Sequence, residues 1–166
     1  TLSGANIDIL GQISAPGGSV TMNAYNLSPS MVEELKNSTT PSTPTASGTR
    51  GVVTLGKDAL INTAGLIVDD RLSAPDPFEL PIAISGGQVN INAYSILLDD
   101  GSLIDVSGGV RVDPFGKRTY GNAGGISLIA GRDLNLPGVI GGELALNGRL
   151  RGIAGMGALG GSLSLQ

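Results

Sequence analysis

The sequence predicts an all-β fold, a β-solenoid in which about six short coils of chain stack on one another. Glycine accounts for 27 of the 166 residues, while Phe, Tyr and Trp together make up 3%. This composition favours tightly turned elements around an aliphatic interior over a core of large aromatic rings. In addition, phrases in which a glycine pair precedes alternating apolar residues recur throughout the chain, and such recurrence is typical of stacked repeats.

The stretch from Gly86 to Gly109 has the content of one coil. Apolar and polar residues alternate from 88 to 93, as in a strand with one buried face. Asp100 and Gly101 then supply a turn before the chain reaches the second glycine pair. This stretch therefore serves as the predicted repeat unit.

Two other parts of the chain match this unit. Residues 17–25 align with residues 86–94, and residues 60–65 align with residues 103–108, so that Asn62 falls at the place of Asp105. Equivalent positions in successive coils of a solenoid stack on one another. We therefore expect these pairs of segments to lie side by side.

Glycine pairs begin at residues 86, 108, 124, 141 and 160, with separations of 22, 16, 17 and 19 residues. These separations are close to the length of about 20 residues expected for one coil. We expect each pair to mark a coil, with little insertion after residue 125. The apolar positions after Gly124 are shifted by one residue relative to the other copies, which predicts a bulge or a shorter corner there.

Three segments interrupt the repeat, at about 26–50, 69–85 and 110–122. They are predicted to be insertions in one domain that spans residues 1–166. In the first, the spacing of Ser30 and Glu33 is that of a capping box and predicts a short helix of one or two turns. A loop rich in Ser, Thr and Pro follows this helix.

The composition excludes several classes of function. Cysteine and histidine are both absent, which removes disulfides, thiol chemistry, Cys/His zinc sites and every catalytic centre that needs histidine. No apolar run is long enough to cross a membrane. The local excess of basic residues after position 109 is too small to indicate nucleic-acid binding. We expect no catalytic residues, no metal and no other cofactor.

A carbohydrate-active β-helix, a polysaccharide lyase or hydrolase using surface carboxylates, is the enzymatic alternative. Its candidate carboxylates are Asp99, Asp100, Asp105 and Asp113. Asp99 and Asp100 are also typical of a turn, and Asp105 of a corner residue stacked in line with Asn62. Because histidine is absent and aromatic residues are few, the non-catalytic interpretation is favoured.

The chain resembles the repeat region of filamentous-haemagglutinin-like exoproteins, adhesins of Gram-negative bacteria that are exported by two-partner secretion. The phrases that carry the resemblance are GGSVTMNA (17–24), GGQVNINA (86–93), SLIDVSGG (102–109) and GNAGGISLIAG (121–131). The resemblance implies a right-handed parallel β-helix, a secreted or cell-surface location, an outer-membrane transporter as partner during secretion, and a role as adhesin shaft or contact surface. The asparagine-proline motifs of the family's secretion domain are absent, so the resemblance implies that this chain is an internal segment of such an exoprotein.

Binding is expected in the insertions, because loops on a rigid scaffold commonly carry function. The candidate contact residues are Phe78, Phe115, Lys117, Arg118 and Tyr120. The expected ligands are host-cell glycans or proteins. Further β-helix coils of the same polypeptide are expected at both ends, since an uncapped end would expose unpaired strand edges.

Overall fold

The structure is a computed structural model that describes residues 1–39, 42–71 and 82–166. These residues are mostly β, with sixteen strands and one helix, α1 (Pro29–Asn37). Among them, no helix is both long and apolar enough to cross a membrane. The strands are β1 Leu2–Gly4, β2 Asn6–Ile9, β3 Gln12–Ser14, β4 Ser19–Ala24, β5 Val52–Leu55, β6 Leu60–Asn62, β7 Ile67–Asp69, β8 Gln88–Asn92, β9 Ser95–Leu98, β10 Leu103–Asp105, β11 Val110–Val112, β12 Arg118–Tyr120, β13 Gly125–Ile129, β14 Leu144–Leu146, β15 Arg149–Arg151 and β16 Ser162–Leu165.

Most strands are parallel and stack in three sheets whose internal order follows the order of the chain. Sheet A contains β1, β4, β8, β13 and β16, sheet B contains β2, β5, β9 and β14, and sheet C contains β3, β6, β10 and β15. A smaller sheet D contains β7, β11 and β12. The chain thus visits A, B and C in the same order each time, and we call one such visit a pass.

The described residues make four complete passes, and β16 then returns to sheet A. Four passes are fewer than the six coils that the sequence predicts. The first pass is short, since Leu2 lies beside Met22. The later passes are longer: Gln88 lies beside Gly125 and Gly125 beside Ser162, an interval of 37 residues in both cases. The glycine pairs at 108 and 141 lie within these passes and do not begin new ones. The assumption that every pair marks a coil was therefore wrong.

The strand register confirms both predicted alignments. Residues 19–23 pair with residues 88–92, and residues 60–62 pair with residues 103–105, which places Asn62 beside Asp105. The Asn92 side chain donates a hydrogen bond to Asn23 Oδ1 at 2.9 Å. The two strand phrases are thus stacked residue on residue.

The predicted bulge at Gly124 is absent, because residues 125–129 pair with residues 88–92 in unbroken register. Gly125 occupies the strand position of Gln88. Gly124 therefore takes the corner position of Gly87, and Ala123 replaces the first glycine of the pair. The shift seen in the sequence is a substitution at the corner and not a change in strand register.

An aliphatic core lies between the sheets. Its largest members are 0% or 1% exposed, and a buried aliphatic side chain of this size contributes about 1.5–3 kcal/mol. The core cluster of the described residues contains no aromatic ring, as the composition predicts. These largest members are Met22, Val53, Leu55, Ile61, Val89, Ile91, Ile96, Leu98, Ile104, Val106 and Leu128.

Glycines stack where the chain passes from sheet C back to sheet A. The Gly18 carbonyl accepts the Gln88 N–H at 2.9 Å, and the Gly87 carbonyl accepts the Gly125 N–H at 3.2 Å. A Cβ atom on Gly87 would overlap the Gly18 carbonyl oxygen, and one on Gly124 would overlap that of Gly87. Glycine is needed here because successive backbones approach too closely for a side chain.

Replacing Gly87 by alanine should destabilise the fold by about 3 kcal/mol, because the new methyl group meets backbone that cannot move without breaking the register. Gly160→Ala is the matched control, since a Cβ there would meet nothing within 4 Å, and we expect it to change stability by less than about 0.5 kcal/mol. Urea unfolding of the two variants measures the difference. Equal midpoints would contradict a steric role for Gly87.

Candidate functional site

The first insertion contains α1, a helix of nine residues, longer than the predicted one or two turns. Its N-cap is Ser28, whose Oγ accepts the Met31 N–H at 3.2 Å. Pro29 occupies the first turn, where its fixed φ favours helix and its missing N–H costs nothing. The cap therefore lies two residues before the predicted Ser30, because the Ser28-Pro29 pair starts the helix earlier.

A buried carboxylate, Asp133, joins this insertion to the fourth pass. Its Oδ2 accepts the N–H groups of Asn26 and Leu27 at 2.6 and 2.9 Å, and its Oδ1 accepts those of Asn135 and Leu136 at 2.7 and 3.1 Å. The Asp133 residue is 0% exposed. Four N–H donors around one carboxylate compensate the cost of its burial.

Asp133 belongs to an excursion over residues 131–142 that the sequence analysis missed. We predicted short turns with little insertion after residue 125, but here the chain leaves the sheets and closes with an antiparallel bridge between Arg132 and Ile140. The residues 133–138, DLNLPG, contain Asp, Asn, Pro and Gly, which are typical of turns. That composition was the available signal for a fourth insertion.

Asn26 closes the other side of the first insertion. Its side-chain nitrogen donates to the carbonyl oxygens of Ser47 and Arg50, both at 2.8 Å, and its Oδ1 accepts the Ser47 N–H at 2.7 Å. The Arg50 Nε donates back to the Asn26 carbonyl at 3.2 Å. The two ends of the insertion are thus joined, and the Arg50 guanidinium is held in place.

A groove of about 510 Å³ lies between α1 and the backbone of residues 3–5. We call it the α1 groove and define it by Tyr25, Leu27, Val32, Glu33, Lys36 and Arg50. A smaller cavity of about 240 Å³ continues under the helix towards Leu136. No residue of α1 is fully buried, although Met31, Val32 and Leu35 are half-buried, so the helix packs only loosely on the rest of the structure.

The third insertion forms a β-hairpin, with β11 and β12 antiparallel. In its turn, Asp113 Oδ1 accepts the N–H groups of Phe115 and Lys117, both at 2.9 Å. Phe115 is 97% exposed, and Lys117 and Arg118 are exposed beside it in the chain. These three predicted contact residues form what we call the hairpin tip.

The other two predicted contact residues lie elsewhere. Tyr120 is half-buried at the base of the hairpin, with its ring against Gly155, and it lines a groove of about 250 Å³ together with Ile67 and Arg151. Phe78 lies outside the described residues. Tyr120 is thus half-buried, whereas the hairpin-tip residues are exposed, and it does not form part of the hairpin tip.

The candidate catalytic carboxylates take part in backbone turns and corners. Asp105 Oδ1 accepts the Ser107 N–H at 2.9 Å, as Asn62 Oδ1 accepts the Ala64 N–H at 3.0 Å, which confirms the predicted corner role. Asp105 also forms an ion pair with Arg151 at 3.3 Å. Asp99 begins a turn that Gly101 completes with a φ of 91°.

Two further observations bear on acid groups. Within the described ranges, no three acidic side chains come together in a way that could hold a metal ion. At the end of β7, the side-chain hydrogen bonds from Arg71 lower the pKa of Asp69 to about 2. This exposed pair stays ionised throughout the physiological range and is a surface ion pair.

No protein-family model matches the chain, and no curated protein or solved structure matches it either. What the chain can do is therefore inferred from its own geometry. That geometry offers the α1 groove, between the first insertion and residues 3–5, and the hairpin tip of the third insertion.

Replacing Asp133 by asparagine should destabilise the protein by about 3 kcal/mol, because an amide NH₂ would face two buried N–H donors. Asp100→Asn, at an exposed turn position, is the control and should change stability by less than about 0.5 kcal/mol. Urea unfolding gives the energies. Amide hydrogen exchange at residues 26, 27, 135 and 136 should quicken in Asp133→Asn alone, and unchanged exchange there would contradict the tether.

Proposed function

We propose that this chain is a segment of a right-handed parallel β-helix that serves as a non-catalytic shaft and contact surface in a large bacterial exoprotein. The observation that carries the proposal is the repeated visit to sheets A, B and C in parallel register around an aliphatic core. Right-handedness is supported by the strong preference of crossover connections between parallel strands of one sheet.

The ends of the stack support further coils of the same polypeptide as partners. Leu163 and Leu165 stand in register with the core residues Ile126 and Leu128, yet they are 52% and 46% exposed. At the other end, Leu2 is 41% exposed beside the buried Met22. Core positions without a cover are costly in water, and additional coils would bury them.

The proposed setting is the surface of a Gram-negative bacterium, reached by two-partner secretion through an outer-membrane transporter. The support is the resemblance of the glycine-pair phrases to filamentous-haemagglutinin-like exoproteins, together with a chain free of cysteine. A cysteine-free chain crosses an oxidising compartment without forming disulfides before it folds.

The carbohydrate-active alternative has weaker support. Glycoside cleavage needs two carboxylates facing a common substrate. Asp105 and Asp113 instead accept backbone N–H bonds in a corner and a hairpin turn. Polysaccharide cleavage that disappears in Asp105→Asn would favour this alternative over the shaft.

Binding is proposed to use the hairpin tip, where an exposed ring stands beside two cations. We expect the triple variant Phe115→Ser, Lys117→Gln, Arg118→Gln to lose at least about tenfold in affinity for host-cell surfaces, because exposed aromatic and arginine residues dominate contact energies. Its melting temperature should match that of the parent, since the three side chains are exposed.

The assay measures the binding of the parent, the triple variant and Lys57→Gln to immobilised host-cell glycans and membrane proteins. Lys57 is an exposed cation in the turn after β5, so Lys57→Gln reports the effect of losing one positive charge elsewhere. Equal binding by the parent and the triple variant would remove the hairpin tip from the proposal. Binding by neither protein to any surface would leave the shaft role alone.

A further inference from the structure

We propose that the α1 groove binds a small ligand in which one carboxylate is attached to an apolar group. The site deepens the proposed function, because it places a ligand in the first insertion. It rests on that function in one respect, namely that the insertions are the binding elements. The site lies outside the hairpin tip, and binding to the two sites is measured separately.

The groove carries two cations, Lys36 and Arg50, together with one acidic side chain, Glu33. Within residues 1–39, 42–71 and 82–166, the ion pairs found do not include Lys36 or Arg50. Arg50 is half-buried, and its Nε is fixed on the Asn26 carbonyl, within the same network that Asp133 ties to the fourth pass. A guanidinium positioned in advance loses little side-chain entropy when it meets a carboxylate.

Part of the groove wall is apolar. Val32 and Tyr25, which are each half-buried, supply this surface, whereas Leu27 is 1% exposed and offers almost none. Because Val32 and Tyr25 are not fully buried, part of their apolar surface is available to a ligand. A volume of about 510 Å³ falls within the range of small-molecule sites, which are mostly apolar with a few polar groups.

The charge of the groove selects the ligand. Lys36 and Arg50 supply two positive charges and Glu33 one negative charge, so the lining has a net charge of +1. A monoanion with an apolar body complements both the charge and the wall. The carboxyl terminus of a peptide that ends in an aliphatic residue has this chemistry, and so does a fatty acid.

Isothermal titration calorimetry with the full chain can test the site and distinguish these two sources. The probes are decanoate for the fatty acid and N-acetyl-Leu-Leu for the peptide terminus, each compared with its neutral amide. We expect the acid of at least one pair to bind about two- to fivefold more tightly than its amide, the ratio expected for a partly exposed ion pair. Acetate, which lacks the apolar body, should bind more weakly than either acid.

Three variants test the position of the ligand. Lys36→Gln keeps a good helix former on the surface of α1 and should weaken acid binding about fivefold. Glu33→Gln should strengthen it, because it removes the negative charge from the lining. Lys57→Gln, a distant exposed cation, should leave the affinity unchanged. Circular dichroism and melting temperatures confirm that each variant is folded.

Each result of the titrations either assigns the ligand or overturns the inference. Tighter binding of decanoate assigns a fatty acid, and tighter binding of N-acetyl-Leu-Leu assigns a peptide terminus. Equal affinity for acid and amide, no binding of either acid, or acid binding that neither Lys36→Gln nor Glu33→Gln alters would overturn the inference. None of these results touches the cell-surface assay of the hairpin tip, so failure of this site and failure of the proposed function are distinguishable.

Discussion

The close contact of backbones at the corner between sheets C and A is the constraint on which the rest of the structure depends. A Cβ atom on Gly87 would overlap the carbonyl oxygen of Gly18, and one on Gly124 would overlap that of Gly87. The carbonyls of Gly18, Gly87 and Gly124 accept the hydrogen bonds that begin the pairings of β4 with β8, β8 with β13 and β13 with β16. Once the register is set there, apolar residues such as Val20, Val89 and Ile126 fall in one row, and the aliphatic core follows.

The strand pairings could be predicted from the sequence because residues that stack have the same chemistry, as Asn62 and Asp105 show by capping the same corner. The number of passes could not. Glycine signals only that a backbone approaches closely, and Gly109 does so against Leu66 at the start of the hairpin, whereas Gly87 does so between passes. The two situations look identical in the sequence, which is why six coils were predicted where four passes and one further strand are described.

The two candidate sites differ in how far they could be predicted, for the same kind of reason. The hairpin tip depends on local turn chemistry, with Asp113 and Gly116 within four residues of Phe115, and the sequence indicates such turns directly. The α1 groove depends on Asp133, which caps residues more than a hundred positions earlier. No periodicity links those positions, so a buried carboxylate of this kind is found only once the chain is folded.

This distance along the chain also affects when the groove can form. Residues 26–50 lie more than 80 positions before residue 133, so a chain that emerges in order from a ribosome or a transporter exposes them first. Until Asp133 arrives, the N–H groups of Asn26 and Leu27 lack the carboxylate that caps them in the finished structure. The second pass can therefore assemble early, while its own insertion is completed only when the fourth pass is made. The α1 groove is thus complete only after the fourth pass has formed.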